Sequence, residues 1–208
     1  MIAKEEAARA WCQDRFGEDT VVRLARFAEM LADENTRQNL VSDASLNQIW
    51  QRHILDSLQL LTHVSRGTSA GGPWLDLGSG AGLPGLPLAI AAPEIDIWLI
   101  ESRKRRIEWL ELAAAGLGLT NCRIVGSRLE LVETCKAAVI SARAFAPLDK
   151  LFKLSARFST RSTLWLLPKG RSGAQELSEQ PERIRAMFHV EQSLTDPEAA
   201  ILVGKGSL

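Results

Sequence analysis

Cysteine and long apolar runs are both scarce in this sequence of 208 residues. Its three cysteines, Cys12, Cys122 and Cys135, are widely spaced and odd in number, which excludes a disulfide framework and a CxxC metal site. No window approaches the ~20 uncharged apolar residues of a membrane-spanning helix, and the charged N-terminus lacks the apolar core of a signal peptide. We therefore expect a cytoplasmic protein with reduced thiols, no membrane contact and no bound metal.

Net charge is also lacking, because 25 Lys and Arg residues balance 25 Asp and Glu residues. A domain that wraps naked nucleic acid is usually strongly basic, so the composition argues against that mode of binding. A local basic face remains compatible with neutrality. Positive residues cluster at 103–106 and recur between 123 and 171, although each one taken singly is interpreted as a solvated surface charge.

Two kinds of pattern divide the chain. Apolar residues at helical spacing fill the first 64 residues and predict a strand-free helical cap, which we delimit as residues 1–66. Small, flexible residues at 67–72, followed by a proline, predict a linker. From 73 to 208, short apolar runs alternate with amphipathic stretches, which predicts one α/β domain integrated with the cap.

The α/β part is predicted as a seven-stranded, mostly parallel Rossmann-like sheet. Strands are expected at 74–77, 95–101, 122–125, 137–141 and 163–167, and helices at 84–92, 103–117, 129–135, 148–158 and 173–188. Right-handed crossovers between such units give a parallel sheet with helices on both faces. Two last strands, at 189–195 and 200–204, predict an antiparallel hairpin at the sheet edge.

The chemistry is predicted at a glycine-rich turn after the first strand, where Asp76 precedes Gly78, Gly80 and Gly82. Glycines at the carboxyl edge of a sheet allow tight turns and let a ligand approach the main chain. A dinucleotide fingerprint would need a third glycine where Leu83 stands, which disfavours a nicotinamide oxidoreductase. The acidic residue two positions before the first glycine instead matches the loop with which class I methyltransferases bind S-adenosylmethionine.

Two further segments are predicted to reach the same edge of the sheet. The second strand ends at Glu101, whose carboxylate is placed to accept hydrogen bonds from both ribose hydroxyls. The alternative is a helix that simply starts with an acidic residue. Leu129 and Glu130 follow the third strand, where they could reach the adenine edge, although an ordinary helix start explains them equally well. S-adenosylmethionine is the predicted cofactor.

The loop after the fourth strand, at 141–147, restricts the methyl acceptor. It contains neither an Asn/Asp-Pro-Pro-aromatic motif for an exocyclic amino group nor a Pro-Cys nucleophile for carbon methylation. A ring nitrogen such as guanine N7 carries its own in-plane lone pair, so in-line positioning suffices and no general base is required. We assign no catalytic residue. A small-molecule methyltransferase and a nucleotide-binding regulatory module without activity remain the alternatives.

Four segments give the chain a specific resemblance to a known family. They are 39–42 (Asn-Leu-Val-Ser), 52–58 (Arg-His-Ile-Leu-Asp-Ser-Leu), 74–87 (the glycine loop with Leu-Pro-Gly-Leu-Pro) and 141–144 (Ser-Ala-Arg-Ala). Along nearly its whole length the sequence resembles the bacterial 16S rRNA guanine-N7 methyltransferases, also called the glucose-inhibited division protein B family. The second and third segments carry the resemblance, because generic methyltransferases rarely contain them.

The resemblance implies a class I methyltransferase that modifies N7 of one guanosine in the 530 loop of 16S rRNA. The implied partner is 16S rRNA in the 30S ribosomal subunit or its precursor, and we expect a monomeric enzyme. Cofactor contacts are implied near Gly78, Leu83, Leu129, Glu130 and Arg143. The guanidinium of Arg143 would suit either the methionine carboxylate or an RNA phosphate.

Arg52, His53 and Lys169 are the candidate substrate contacts. A lone histidine on an apolar helix face is more often a satisfied core residue than a catalyst. With Arg52 and Asp56 on adjacent turns, His53 could instead help to cover the cofactor pocket. Lys169 follows the fifth predicted strand and is expected to meet RNA.

Overall fold

A computed structural model of the protein describes residues 1–65 and 71–208. Most of the predicted linker and the end of the predicted cap fall at 66–70, outside the described residues. The first 65 residues are helical, as predicted: α1 (Glu5–Phe16), α2 (Glu18–Asn35), α3 (Asp43–Leu46), a π-helical segment (Trp50–Leu55), α4 (Asp56–Leu58) and a 3-10 turn (Gln59–His63).

The second helix joins the N-terminal helices to the sheet. It buries Val21, Leu24, Phe27 and Leu31, which are spaced three or four residues apart and therefore form one apolar stripe. This stripe belongs to the same apolar core as residues of the first and second strands. A boundary between a cap and a methyltransferase domain stays a prediction.

Seven strands of the described chain form one sheet. They are β1 (Trp74–Leu77), β2 (Ile97–Glu101), β3 (Cys122–Gly126), β4 (Val139–Ser141), β5 (Leu164–Lys169), β6 (Phe188–Gln192) and β7 (Ala200–Lys205). The strand order is β3-β2-β1-β4-β5-β7-β6. The first five strands are parallel, and β7 pairs antiparallel with both β5 and β6, which confirms the mostly parallel sheet with its edge hairpin.

Helices cover both faces of the sheet: α5 (Gly85–Ala91), α6 (Lys104–Gly116), α7 (Leu148–Ser155), α8 (Gly173–Ser178) and α9 (Glu182–Arg185). Successive residues of a strand point to opposite faces. Trp74 of β1 accordingly lies in the core under α2, α5 and α6, and Leu75 lies in the core under α7. From β1 the sheet is extended on one side by β2 and β3 and on the other side by β4 and β5, so the strand order reverses between β1 and β4. Such a switch point leaves a crevice at the carboxyl ends of the strands.

Two of the predicted helices are wrong. At 129–135 only a 3-10 turn forms (Leu129–Leu131), because the β-branched Val132 and Thr134 favour helix weakly and Arg157 donates to the Thr134 hydroxyl from outside. The helix predicted at 173–188 is split into α8 and α9. Pro181 ends the first part, since it has no N–H to donate and restricts the residue before it.

Replacement of Gly85 by Ala is expected to destabilise the fold by about 1–3 kcal/mol through overpacking. An added Cβ would overlap Cδ2 of Leu99 and lie 2.9 Å from Oδ2 of Asp76. Urea unfolding measures the change. Gly170→Ala is the matched control, because a Cβ there meets nothing within 4 Å. Equal free energies of unfolding for the two variants would contradict this packing.

Candidate functional site

The glycine loop after β1 forms the floor of the crevice. Gly78 and Gly80 have φ angles of +70° and +56°, which residues with a Cβ rarely adopt. A Cβ on Gly78 would overlap the ring of Phe145, and one on Gly80 would lie 3.0 Å from Nη1 of Arg106. The missing Cβ atoms therefore let Phe145 and Arg106 pack against the main chain of the loop, and a ligand contact of this main chain stays a prediction.

Asp76 lies beneath this loop and is fully buried. Its Oδ1 accepts a hydrogen bond from the Ser141 hydroxyl at 3.0 Å, and its Oδ2 accepts one from the Gly85 amide at 3.3 Å. Burial raises the pKa of this carboxyl to about 6 against these hydrogen bonds. Asp76 thus shapes the loop from below, and its direct contact with a cofactor stays a prediction.

Glu101 stands at the end of β2, on the rim of a cleft of about 330 Å³. One carboxylate oxygen accepts from the Gly80 amide at 3.0 Å, and the other accepts from the amides of Ser102 and Arg103 at 2.7 and 2.9 Å. These bonds fix the carboxylate beside the glycine loop. The two carboxylate oxygens have about four lone-pair sites in all, and three amides occupy three of them, so about one site remains for a ligand hydroxyl.

The other predicted cofactor residues are distributed unevenly around the crevice. Leu129 lines the cleft of about 330 Å³, and Leu83 lines a neighbouring cleft of about 340 Å³. Gly82 and Glu130 line neither of these two clefts. A Cβ on Gly82 would overlap Leu86, so this glycine allows the loop to pack on α5. Cofactor contacts of all four stay predictions.

Arg143, after β4, points its guanidinium at the π-helical segment. Its Nη2 lies 3.2 Å from Nδ1 of His53 and 3.3 Å from the carbonyl oxygen of Arg52. Its Nη1 lies 3.5 Å from Oδ2 of Asp56 but is buried without a hydrogen bond among the described residues. This nitrogen therefore has an ion-pair partner but no hydrogen bond, and a contact of Arg143 with a ligand anion stays a prediction.

His53 is a neutral, satisfied residue in this arrangement. Its Nε2 lies 3.0 Å from the Ser45 hydroxyl, and since a guanidinium can only donate, Nδ1 accepts from Arg143 and the proton is assigned to Nε2. Burial, together with the charges of Arg143 and Arg52, lowers the pKa of His53 to about 3. This agrees with the core interpretation, and an RNA contact of His53 stays a prediction.

A third cavity, of about 740 Å³, lies on the far side of residues 143–147. Lys169 and Arg52 both line it. The Nζ of Lys169 is 2.8 Å from Oε2 of Glu176, and Nη1 of Arg52 is 2.8 Å from Oδ2 of Asp196. The two predicted substrate contacts therefore lie at the same cavity, each beside a carboxylate.

Residues 1–65 and 71–208 contain no group of three or more His, Cys, Asp or Glu side chains arranged to hold a metal ion. Within the same ranges, no helix combines the length and the apolar character that crossing a membrane requires.

Arg106 is the site residue that the sequence analysis missed. It lines both smaller clefts, lies against Gly80, and donates from Nη2 to the Asn39 carbonyl oxygen at 3.2 Å. The interpretation of 103–106 as solvated charges hid it. Its spacing was a usable signal, because Arg106 precedes the buried Trp109 and Leu110 by three and four residues and so shares their helix face.

The comparisons with known proteins agree with this geometry. The sequence model of the GidB family, described as rRNA small subunit methyltransferase G, matches residues 21–200. The chain belongs to this family. Its relatives include proteins named ribosomal RNA small subunit methyltransferase G from Erythrobacter litoralis, 57% identical over 99% of this chain and 98% of the relative, and Novosphingobium aromaticivorans, 52% identical over 98% and 89%.

Solved structures show the fold that this GidB-family chain shares with other methyltransferases. A methyltransferase from Geobacter sulfurreducens has a TM-score of 0.59 at 11% identity, covering 86% of this chain and 90% of the other. The protein MtNAS, solved with S-adenosylmethionine, has a TM-score of 0.53 at 16% identity, covering 98% and 84%. The chain is thus a member of a methyltransferase family with the Rossmann-like, S-adenosylmethionine-dependent fold.

Replacement of Arg106 by Gln is expected to weaken S-adenosylmethionine binding about tenfold or more. The variant would lose a hydrogen bond from the guanidinium to the cofactor's carboxylate, and hydrogen bonds to charged groups contribute ~1.5–3 kcal/mol. Methylthioadenosine lacks the amino-acid part and should bind both proteins equally. Calorimetry with the two ligands makes the measurement. Arg105→Gln is the control, since Arg105 is exposed and donates to the Arg37 carbonyl oxygen instead. Equal weakening of both ligands would contradict a carboxylate contact.

His53 is expected to make stability fall as the pH decreases. The unfolded chain takes up its proton near pH 6.5, whereas burial and the nearby arginines delay uptake in the folded chain until about pH 3. The contribution of the neutral His53 to the free energy of unfolding is complete above pH 6.5. It is lost as the pH falls toward 3, by at most about 1.4 kcal/mol per pH unit.

The raised pKa of Asp76 acts in the opposite direction, but Asp76 is common to the wild type and a His53→Gln variant and cancels in their difference. Urea unfolding at pH 7 and pH 5 should show the advantage of the wild type over His53→Gln shrinking at the lower pH. A constant difference would mean that His53 is not buried in neutral form.

Proposed function

We propose that this chain transfers the methyl group of S-adenosylmethionine to N7 of one guanosine in the 530 loop of 16S rRNA. The proposed substrate is the 30S subunit or its precursor, and the chain acts as a monomer in the bacterial cytoplasm. The observation that carries the proposal is the match of residues 21–200 to the family model of rRNA small subunit methyltransferase G. The geometry of the crevice supports it.

The residues around the two smaller clefts fit S-adenosylmethionine. Gly78 and Gly80 line both clefts, so a ligand that extends from one cleft to the other would pass along their main chain. Glu101 would accept a ribose hydroxyl, and Leu129 would cover the adenine. Arg143, which lines the cleft of about 340 Å³, would hold the methionine carboxylate.

The charge of the cleft of about 340 Å³ supports placing the methionine carboxylate of the cofactor there. The cleft of about 340 Å³ is lined by three arginines, Arg52, Arg106 and Arg143, and by no Asp or Glu among the described residues. A cleft lined by charges of one sign attracts a ligand group of the opposite sign. The acidic end of the cofactor therefore belongs here, and the neutral nucleoside belongs in the cleft beside Glu101.

The protein has little chemistry to perform beyond positioning. S-adenosylmethionine, when bound, supplies a methyl group activated by a positively charged sulfur. Guanine N7 needs no proton removed before it attacks, so the side chains have to align two reactants and exclude water. The neutral His53 agrees with this, because it is committed to Ser45 and Arg143. Arg52 and Lys169 would hold the RNA at the larger cavity.

The deciding experiment is transfer of labelled methyl from S-adenosylmethionine to 30S subunits of a strain that lacks its own enzyme of this type. N7-specific chain cleavage then maps the product. We expect label at a single guanosine of the 530 loop. No transfer to 30S subunits or to free 16S rRNA, with cofactor binding intact, would favour a small-molecule methyltransferase. Light scattering should give the mass of one chain.

Gly78→Asp supplies the matched inactive protein. The new side chain would overlap the ring of Phe145 and carry a charge into the crevice at a φ of +70°. We expect calorimetry to detect no cofactor binding, while circular dichroism shows the fold retained. Wild-type affinity in this variant would remove the glycine loop from the cofactor site.

A further inference from the structure

The cavity of about 740 Å³ adjoins both cofactor clefts. It shares Arg52, Arg143 and Ala144 with one cleft, and Ala144 and Phe145 with the other. Methyl transfer brings the reacting atoms to about 3–3.5 Å, so the acceptor must occupy a space that adjoins the cofactor. The volume also falls within the roughly 300–1,000 Å³ of small-ligand pockets.

Phe145 is the side chain that separates the cavity from the cofactor cleft beside Glu101. It lines both spaces, and its ring packs directly on the main chain of Gly78. Ala144 before it has a φ of +50°, an unfavourable conformation for a residue with a Cβ. Such strain persists where the surroundings impose it, often at functional sites. An aromatic face in this position offers a stacking surface for a base.

Lys169 and Glu176 form a donor and acceptor pair on the cavity wall, 2.8 Å apart. The Ser172 hydroxyl also donates to Glu176 at 2.8 Å. Although burial favours the neutral form, the hydrogen bonds from Lys169 and Ser172 lower the pKa of Glu176. The acid is therefore an ionised acceptor at neutral pH.

The order of this pair matches guanine. The base presents the O6 acceptor beside the N1–H and 2-amino donors, whereas adenine presents a donor beside an acceptor. Lysine facing O6 and glutamate facing N1–H and the amino group would complement the edge of guanine. Of the other carboxylates of the cavity, Asp56 binds Gln59, Thr195 and Arg143, and Asp196 binds Arg52 and the Glu198 amide.

We propose that this cavity receives the target guanine extruded from the RNA, with the base stacked on Phe145 and its edge bound by Lys169 and Glu176. The inference rests on the proposed function and adds two residues to it, Phe145 and Glu176, as substrate contacts. Extrusion of the target base is the general way in which an enzyme reaches an atom within stacked nucleic acid.

The test uses 30S subunits reconstituted with 16S rRNA that carries guanosine or inosine at the target position. Inosine keeps N7, O6 and N1–H but lacks the 2-amino group. Wild-type kcat/KM should be about tenfold or more lower on inosine, the discrimination usual for a lost base contact. In Glu176→Ala the rate on guanosine should fall and the preference for guanosine should disappear, with cofactor affinity unchanged.

Glu179→Ala is the matched control, because Glu179 lies one turn further on, exposed and bonded to Gln175. It should keep the wild-type preference. If Glu176→Ala does not fold, Glu176→Gln replaces it and should reduce the preference. Equal rates of the wild type on both substrates, or an undiminished preference in the Glu176 variants, would overturn the inference. No transfer by the wild type to guanosine would instead overturn the proposed function, and with it this inference.

Phe145 provides an independent readout. Phe145→Leu should lower kcat/KM for 30S subunits about tenfold or more, the usual effect of losing a base-stacking ring. Phe145→Tyr keeps the ring and should restore the activity. A leucine variant as active as the wild type would remove Phe145 from the acceptor pocket.

Discussion

A single buried carboxylate, that of Asp76, connects the elements that make the site. It accepts hydrogen bonds from Ser141 at the end of β4 and from the first amide of α5, and the Ser141 hydroxyl in turn accepts one from the Trp74 indole at 2.9 Å. β1, β4 and the helix after the glycine loop are therefore fixed relative to one another. Burial of the carboxyl raises its pKa to about 6, and the hydrogen bonds offset part of that cost.

A second network brings the N-terminal helices to the same crevice. Arg143 contacts His53 and Asp56 of the π-helical segment and α4, and Asp56 also accepts from the Thr195 hydroxyl at 2.9 Å. Three distant parts of the chain thus meet at the Asp56 carboxylate. π-helical turns are often found at functional sites, and this one places Arg52 and His53 at the crevice.

The sequence alone predicted the sheet, the glycine loop and the position of Glu101, because strand periodicity and the spacing of Asp76 and the glycines are local signals. It did not predict the role of Arg106 or the contact between Asp56 and Thr195, which depend on residues distant in the sequence meeting in the fold. Pro181 was a local signal that the prediction of one helix at 173–188 overlooked. The carboxylate that pairs with Lys169 also became visible only in the fold.

In the proposed arrangement, residues 143–147 divide a cofactor cleft from a base pocket. Electron cryomicroscopy of this protein on 30S subunits, trapped with a non-reactive analogue of S-adenosylmethionine, would show both spaces occupied. We expect the analogue between Glu101 and Arg143, and an extruded guanine in the larger cavity with N7 facing the cofactor. A cofactor in the larger cavity, or a guanine that remains stacked in the RNA, would contradict it.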